Sequence, residues 1–272
     1  MSTTIETTYR KFLESINLQK WDSLQSIVSS PTINLNGETV PVPEGIKSVF
    51  FETLQDLTIE IITVDEEAGR LGAILSSSKG ADNNRTEHHH LIWISKEQGG
   101  IITALAYISS SSSSPIPFPI SSPAAPSKPP LLLLSKPTLQ ETYKSYINSI
   151  NARTMTSRLS EFCHDTVTHN SNPYSLSEYR GLMESAQKAV PDICFGVDVL
   201  VVDEMRQRVA VRIEFEGTPV PGERLGDGDG GWEGTGRAVR FYEYVTYQFR
   251  DGKIDTVWSI VDWDTYRRQL DG

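Results

Sequence analysis

Two acidic side chains, Glu243 and Asp262, lie among aromatic residues near the C-terminus, where they could exchange protons with a bound molecule. The segment from Arg240 to Leu270 contains two alternating apolar runs that meet at Asp251-Gly252, a dipeptide typical of a two-residue hairpin turn. Burial disfavours the charged form of a carboxyl group and raises its pKa towards neutrality, where proton transfer is efficient. The hairpin therefore carries candidate acid/base chemistry.

The alternation predicts which side chains share a face of each strand. On the first strand it groups Phe241, Glu243, Val245, Tyr247 and Phe249. On the second strand it groups Ile254, Thr256, Trp258, Ile260 and Asp262. An alternative task for Asp262 is to cap the helix predicted from Trp263, because aspartate is favoured at a helix N-cap.

The composition is that of two soluble globular units. The chain has 272 residues and a formal net charge of −10, which argues against binding to nucleic-acid phosphates. No apolar run approaches the roughly 20 residues that span a bilayer, and the N-terminus lacks an apolar core of signal-peptide type. We expect a cytoplasmic protein that binds neither membrane nor nucleic acid.

A stretch rich in serine and proline at residues 109–137 predicts a linker between a first domain, 1–108, and a second, 138–272. The predicted order of helix, helix, strand, helix and further strands occurs before the linker and again after it. Residues 9–17 also line up with residues 143–151. The sequence thus predicts a tandem duplication of one α+β domain. The two copies are expected to pair as an intramolecular pseudo-dimer, with a homodimer also possible.

Three segments of the second half resemble one known family. They are Asp251-Gly252-Lys253-Ile254 with Trp258 and Asp262, the run at 162–170, and Gly217-Thr218 with the run at 234–241. Together they resemble the SnoaL-like polyketide cyclases of the NTF2-like superfamily over residues from about 138 to 272. The resemblance implies an α+β fold of two tandem NTF2-like cones, each a curved antiparallel sheet wrapped on N-terminal helices, with the first cone degenerate.

In such a cone the concave sheet face and the first helices enclose a pocket. The resemblance implies that Asp262 and His169 form an acid/base pair there, with Glu243 as a second acid or orienting group. The expected wall consists of aromatic side chains, namely Tyr143, Tyr146, Tyr174, Tyr247, Phe249 and Trp258. Trp232 lies in the glycine-rich loop at 226–236 and is predicted to insert as part of a lid.

The first half lacks this chemistry at the matching positions. Leu35-Asn36, Ala106 and Ser110 stand where the second half has His169-Asn170, Trp258 and Asp262, which favours a structural first domain. Alternatively, the first domain keeps a different ligand site built from Glu87, His88, His89, His90 and Trp93. His88 and His90 point to one side of a strand, but no third metal ligand is identifiable, so neither a metal nor another cofactor is predicted.

The predicted function is a cofactor-independent enzyme of secondary metabolite biosynthesis. It would cyclise, isomerise or dehydrate a small, hydrophobic, oxygenated intermediate of polyketide or terpenoid type. Two alternatives remain open at this point. One is a hydrolase that activates water against an epoxide or lactone in the same pocket, and the other is a non-catalytic ligand-binding or dimerisation module.

Overall fold

The computed structural model describes residues 4–28, 30–50, 56–79, 84–95, 100–110, 132–226 and 231–271. The chain divides into two compact units, Met1–Ala125 and Pro126–Gly272. Most of the predicted linker lies outside the described residues, so its bounds stay a prediction. None of the described helices is both long and apolar enough to cross a membrane.

Unit 1 consists of helices packed on a six-stranded sheet. The helices are α1 (Thr4–Asn17), a 3₁₀ helix (Trp21–Ser26) and α2 (Glu44–Phe50). The strands are β1 (Thr32–Leu35), β2 (Glu38–Pro41), β3 (Thr58–Asp65), β4 (Arg70–Lys79), β5 (Asn84–Ser95) and β6 (Ile101–Ser109). Their order across the sheet is β2-β1-β6-β5-β4-β3.

Unit 2 repeats this plan. Its helices are α3 (Lys136–Asn151), α4 (Met155–Phe162), α5 (Leu176–Ala189) and α6 (Trp263–Asp271). The main strands are β7 (Cys163–His169), β8 (Asn172–Ser175), β9 (Cys194–Asp203), β10 (Arg208–Gly217), β13 (Val239–Arg250) and β14 (Lys253–Val261). A short pair, β11 (Arg224–Leu225) and β12 (Trp232–Glu233), lies between β10 and β13. The sheet order β8-β7-β14-β13-β10-β9 matches that of unit 1 strand for strand.

The predicted fold class and tandem duplication are confirmed, with one difference. Both sheets are mixed rather than antiparallel, because β1 runs parallel to β6 and β7 runs parallel to β14. The two parallel strands enter the sheet from the N-terminal helices and lie beside the last strand of their unit. All the other strand pairs of the two sheets are antiparallel.

One asparagine in each unit makes the same two side-chain hydrogen bonds to the backbone of a residue on the last strand, and we call this pair of bonds an asparagine clamp. The Asn36 side chain accepts a hydrogen bond from the backbone N–H of Tyr107 and donates one to its carbonyl. Asn170 makes the same two bonds with Ser259. Both asparagines have positive φ angles, 50° and 46°, which asparagine tolerates better than most residues. Asn36 therefore corresponds to Asn170, and Tyr107 corresponds to Ser259.

The hydrophobic core of unit 2 explains which side of α3 packs against the sheet. The buried residues of α3 recur at helical spacing and form one apolar stripe, which includes Leu139, Tyr143, Tyr146, Ile147 and Ile150. This stripe belongs to the same hydrophobic core as Val245, Tyr247 and Val257 of the sheet. We call the sheet face that carries these three side chains the inner face of unit 2.

The predicted hairpin is confirmed, and a β-bulge within it corrects the predicted faces. Asp251 and Gly252 both have positive φ angles, 49° and 78°, as a type I′ turn requires. Phe249 pairs with Ile254, but its neighbour Gln248 pairs with Thr256. Asp255 is therefore the extra residue of a bulge, and every side chain after it changes face.

As a result, the prediction that Trp258 and Asp262 share a face with Glu243 is wrong. Trp258 pairs with Thr246 and belongs to the opposite, outer face. The inner face of β14 carries Val257, Ser259 and Val261, which pair with Tyr247, Val245 and Glu243 respectively.

Candidate active site

Among the described residues of unit 2, one carboxyl group, that of Glu243, lies on the inner face. Burial raises the pKa of Glu243 to about 7, and a hydrogen bond from Ser259 acts in the opposite direction. No basic side chain contributes to the shift within the part of the chain that the structure describes. Glu243 nevertheless keeps part of its surface accessible to solvent. The Glu243 carboxyl is thus largely buried and has no basic partner among the described residues, and the part of the residue that stays exposed could be reached by a small molecule.

Ser259 links Glu243 to His169. The Ser259 hydroxyl lies 3.2 Å from His169 Nε2 and also hydrogen-bonds Glu243. When Glu243 is ionised, the hydroxyl must donate to the carboxylate, so its lone pair accepts from a protonated Nε2. Burial lowers the pKa of His169 to about 4, so the imidazole is neutral at physiological pH. His169 can therefore orient the serine, but it does not supply a proton from an imidazolium.

Four tyrosines lie in a cluster beside the Glu243 carboxyl, namely Tyr143, Tyr146, Tyr179 and Tyr247. The Tyr146 hydroxyl lies 3.0 Å from that of Tyr179, and the rings of Tyr143 and Tyr247 have centroids 5.0 Å apart. The charge of Glu243 contributes to raising the pKa of Tyr143, Tyr179 and Tyr247, which places all three near the carboxyl. Burial is the largest cause of the raised pKa in each case. The phenols therefore remain protonated hydrogen-bond donors.

The hydroxyl of Tyr143 stands out within this cluster. It is fully buried, and although the neighbouring Tyr247 hydroxyl acts on its oxygen as a donor, its own hydrogen has no acceptor among the described residues. A buried donor without a partner costs about 1–3 kcal/mol, so such groups are rare unless they have a task. A substrate oxygen next to Glu243 would satisfy it.

The structure brings most of the predicted wall together. Tyr143, Tyr146 and Tyr247 form one ring cluster. Tyr174 is partly exposed, and its ring centroid lies 6.2 Å from that of His169. Phe249 is buried in the same core, beside Ile254 at the hairpin end.

Asp262 lies apart from the inner face. Its two carboxylate oxygens accept from the backbone N–H and the hydroxyl of Thr265, at 2.9 and 2.7 Å. This is the N-cap of α6, the alternative task that its position before Trp263 suggested. Burial is the main cause of the raised pKa of Tyr244, an outer-face residue, and the charge of Asp262 adds to it, which agrees with this placement. The prediction that Asp262 pairs with His169 is therefore wrong.

Trp232 packs on the last helix of unit 2. Its ring lies 6.0 Å from that of Trp263 and 6.3 Å from that of Tyr266. Phe241 connects these rings to the inner face. Residues 227–230 of the predicted lid lie outside the described residues, so the lid stays a prediction.

Sequence reasoning missed Ser259 and Tyr179. Ser259 escaped because the bulge at Asp255 reverses the alternation that precedes it. Tyr179 lies one turn into α5, which begins with a capping box between Ser175 and Glu178. That motif was present in the sequence and, with helical periodicity, indicates that Tyr179 faces inward.

Unit 1 has different side chains at the matching positions. The strand registers place His88 where unit 2 has Glu243, and Tyr107 where it has Ser259. His88 Nε2 is held by the Ser77 hydroxyl at 2.8 Å. Glu87 pairs with His89 on the opposite face of β5. Among the described residues, no cluster of three or more His, Cys, Asp or Glu side chains could hold a metal ion.

Comparison with known proteins finds one family that unit 2 resembles in sequence. A family model for the SnoaL-like polyketide cyclases matches residues 138–270. A SnoaL-like polyketide cyclase of Agrobacterium tumefaciens is 35% identical over 48% of this chain and 97% of its own, with a TM-score of 0.43. TsrD of Streptomyces laurentii is 21% identical over 50% of this chain and 97% of its own, with a TM-score of 0.43. No curated protein matches the sequence.

The two pKa shifts predict opposite pH dependences of stability. Between about pH 4.5 and 7 the unfolded chain has lost the proton that folded Glu243 keeps, so stability falls as pH rises. Between about pH 4 and 6.5 the unfolded chain carries the proton that folded His169 lacks, so stability rises with pH. The two trends nearly cancel in the intact protein.

Single variants should separate the trends. Relative to wild type, Glu243→Gln should gain about 3 kcal/mol of stability as pH rises from 4.5 to 8, because folding moves the pKa of the Glu243 carboxyl from 4.5 to about 7. His169→Asn should gain a similar amount as pH falls from 7 to 4. Urea-induced unfolding at several pH values measures both, with Glu141→Gln, on the exposed side of α3, as control. Parallel curves for Glu243→Gln and wild type would contradict the assignment.

Proposed function

Because this chain belongs to the SnoaL-like polyketide cyclase family through residues 138–270, we propose that unit 2 is a cofactor-independent acid/base catalyst. Its substrate is a hydrophobic carbonyl compound of polyketide or terpenoid type, and its reaction is cyclisation, isomerisation or dehydration that begins with enolisation. The observation that carries the proposal is the buried Glu243 carboxyl, whose pKa of about 7 is matched to proton transfer at neutral pH.

Glu243 acts as the base in this proposal. Its carboxylate takes a proton from the carbon next to the substrate carbonyl, and the C–H electron pair moves onto the carbonyl oxygen to give an enolate. In a cyclisation the enolate carbon attacks a second carbonyl carbon of the same molecule. The carboxylic acid then returns the proton to the new alkoxide, so Glu243 ends in its starting state.

Tyr143 stabilises the enolate oxygen. Its hydroxyl is buried near Glu243, its hydrogen has no acceptor within the described residues, and it stays protonated because burial raises its pKa well above the usual value. A fixed donor aimed at developing charge lowers the barrier more in an enclosed site than it would in water. The rings of Tyr146, Tyr174 and Tyr247 supply flat apolar walls for a planar substrate.

His169 and Ser259 position the base. The neutral imidazole donates from Nε2 to the serine, and the serine donates to the Glu243 carboxylate. Asn170 fixes the serine backbone through two hydrogen bonds and is itself the residue after His169. This series of hydrogen bonds, from Asn170 and His169 through Ser259 to Glu243, therefore determines where the carboxylate oxygens point.

The first prediction compares the two acids of the hairpin. Glu243→Gln should lower the rate of deuterium exchange next to the carbonyl by about 10²–10⁴-fold, because the base is removed. Asp262→Asn should change this rate less than threefold, since Asp262 caps α6. The assay follows a panel of aromatic and polyketide-like ketones and lactones in D₂O by NMR.

The wild-type exchange rate should also rise with pH and level off above about pH 7, as the base ionises. An Asp262→Asn loss as large as that of Glu243→Gln would contradict this assignment of the base. So would a wild-type rate that falls as pH rises through 7.

The second prediction separates Tyr143, whose hydroxyl hydrogen has no acceptor among the described residues, from Tyr146, which is paired with Tyr179. Tyr143→Phe should lower the exchange rate about 10²-fold, as loss of one oxyanion donor does, without lowering stability. Tyr146→Phe is the matched control, because it breaks the 3.0 Å bond to Tyr179 and should cost about 1 kcal/mol of stability. Exchange kinetics and urea unfolding together distinguish them. A Tyr143→Phe variant with wild-type exchange would show that its hydroxyl does not contact the enolate.

A further inference from the structure

A second buried polar atom without a partner lies in unit 1. His90 is 1% exposed, and its Nε2 has no hydrogen-bond partner among the described residues. Its other ring nitrogen, Nδ1, lies 3.1 Å from the Tyr9 hydroxyl. The rings of Phe50 and Tyr107 lie 5.8 and 6.3 Å from the imidazole. We call these four side chains the His90 cluster.

The hydrogen bond to Tyr9 fixes the tautomer of His90. A phenol is a better donor than a neutral imidazole, and an imidazole nitrogen is a better acceptor than a phenol oxygen, so Tyr9 donates to Nδ1. Nε2 then carries the ring hydrogen and has no acceptor among the residues that the structure describes. Burial holds the pKa of His90 well below its usual range, so the imidazole stays neutral. A group that accepts from Nε2 would remove a cost of about 1–3 kcal/mol.

The duplication shows where this donor stands. Tyr9 aligns with Tyr143 and Tyr107 corresponds to Ser259, so the His90 cluster lies at the place that the candidate active site has in unit 2. The strand registers put His90 at the position of Val245. On the equivalent sheet face, the described residues of unit 1 thus have His88 at the position of Glu243 and the His90 donor at the position of Val245.

The chemistry of the cluster determines what it can bind. All four side chains are uncharged, so an ion would be desolvated there without compensation. The rings of Phe50 and Tyr107 beside the imidazole favour a ligand that is flat and apolar. Tyr107 is only partly buried, so the cluster has one side towards solvent.

We propose that unit 1 contains a second binding site, in which His90 Nε2 donates to the carbonyl oxygen of a neutral planar ring compound that packs against Phe50 and Tyr107. The site binds and has no base, so it holds such a molecule without enolising it. It stands on different residues from the proposed function of unit 2 and is independent of it.

The test uses the full chain labelled with ¹⁵N-histidine and titrated with 1-tetralone, a flat neutral ketone. Nitrogen–proton correlation of the imidazoles should show a saturable shift of the His90 signals, identified by their loss in His90→Phe. The shift should persist in Tyr143→Phe, which perturbs only unit 2. Tetralin, the same ring system without the oxygen, should bind about tenfold more weakly, as expected for one lost hydrogen bond.

Two variants guard against a folding defect. His90→Phe leaves the Tyr9 hydroxyl unpaired, whereas Tyr9→Phe combined with His90→Phe removes both partners. In both variants the affinity of the unit 1 site for 1-tetralone, measured by calorimetry, should fall about tenfold. If neither variant folds, the ratio of 1-tetralone to tetralin affinity on the wild-type protein decides. His90 signals that do not move up to the solubility limit of the ketone would overturn the proposal, as would equal affinities for ketone and hydrocarbon.

Discussion

Burial of the Glu243 carboxyl without a basic partner is the constraint on which the chemistry of unit 2 depends. A lysine or arginine at this place would hold the pKa of the carboxyl low and make it a weak base. Here every neighbour that the structure describes is neutral: the tyrosines because burial raises their pKa, and His169 because burial lowers its pKa. The Ser259 hydroxyl is the donor that steadies the ionised form.

The two units show which parts of the fold are scaffold and which are chemistry. The scaffold repeats down to single hydrogen bonds: Asn17 clamps the backbone of Leu57 as Asn151 clamps Phe195. Asp65 and Asp203 likewise hold the turns that follow β3 and β9. The inner-face polar groups do not repeat. Among the described residues, one sheet geometry thus supports an acid without a basic partner in unit 2 and an imidazole N–H without an acceptor in unit 1.

Much of this could be predicted from the sequence, because the signals are local. The Asp251-Gly252 turn fixed the hairpin, and the alternation along β13 correctly put Glu243 with Tyr247. The same order of helices and strands before and after the linker, with the match between residues 9–17 and 143–151, revealed the duplication. The alignment of Leu35-Asn36 with His169-Asn170 agrees with the repeated asparagine clamps.

The errors about which side chains face the site share one physical cause. A bulge adds a residue without a clear sequence signature, and at Asp255 it reverses the faces of the whole second strand. Trp258 and Asp262 therefore moved outward and Ser259 moved inward. The parallel pairing of β7 with β14 was also invisible, because it joins segments about 90 residues apart in sequence.

The most direct test of the central claim is a titration of the Glu243 carboxyl itself. Isotope-edited carboxyl signals of ¹³C-glutamate-labelled protein, compared with Glu243→Gln, isolate this one group. We predict that the signal absent from the variant titrates with a midpoint near pH 7. A midpoint near 4, the ordinary value for glutamate, would show that the carboxyl is solvated or paired and would contradict its assignment as the base.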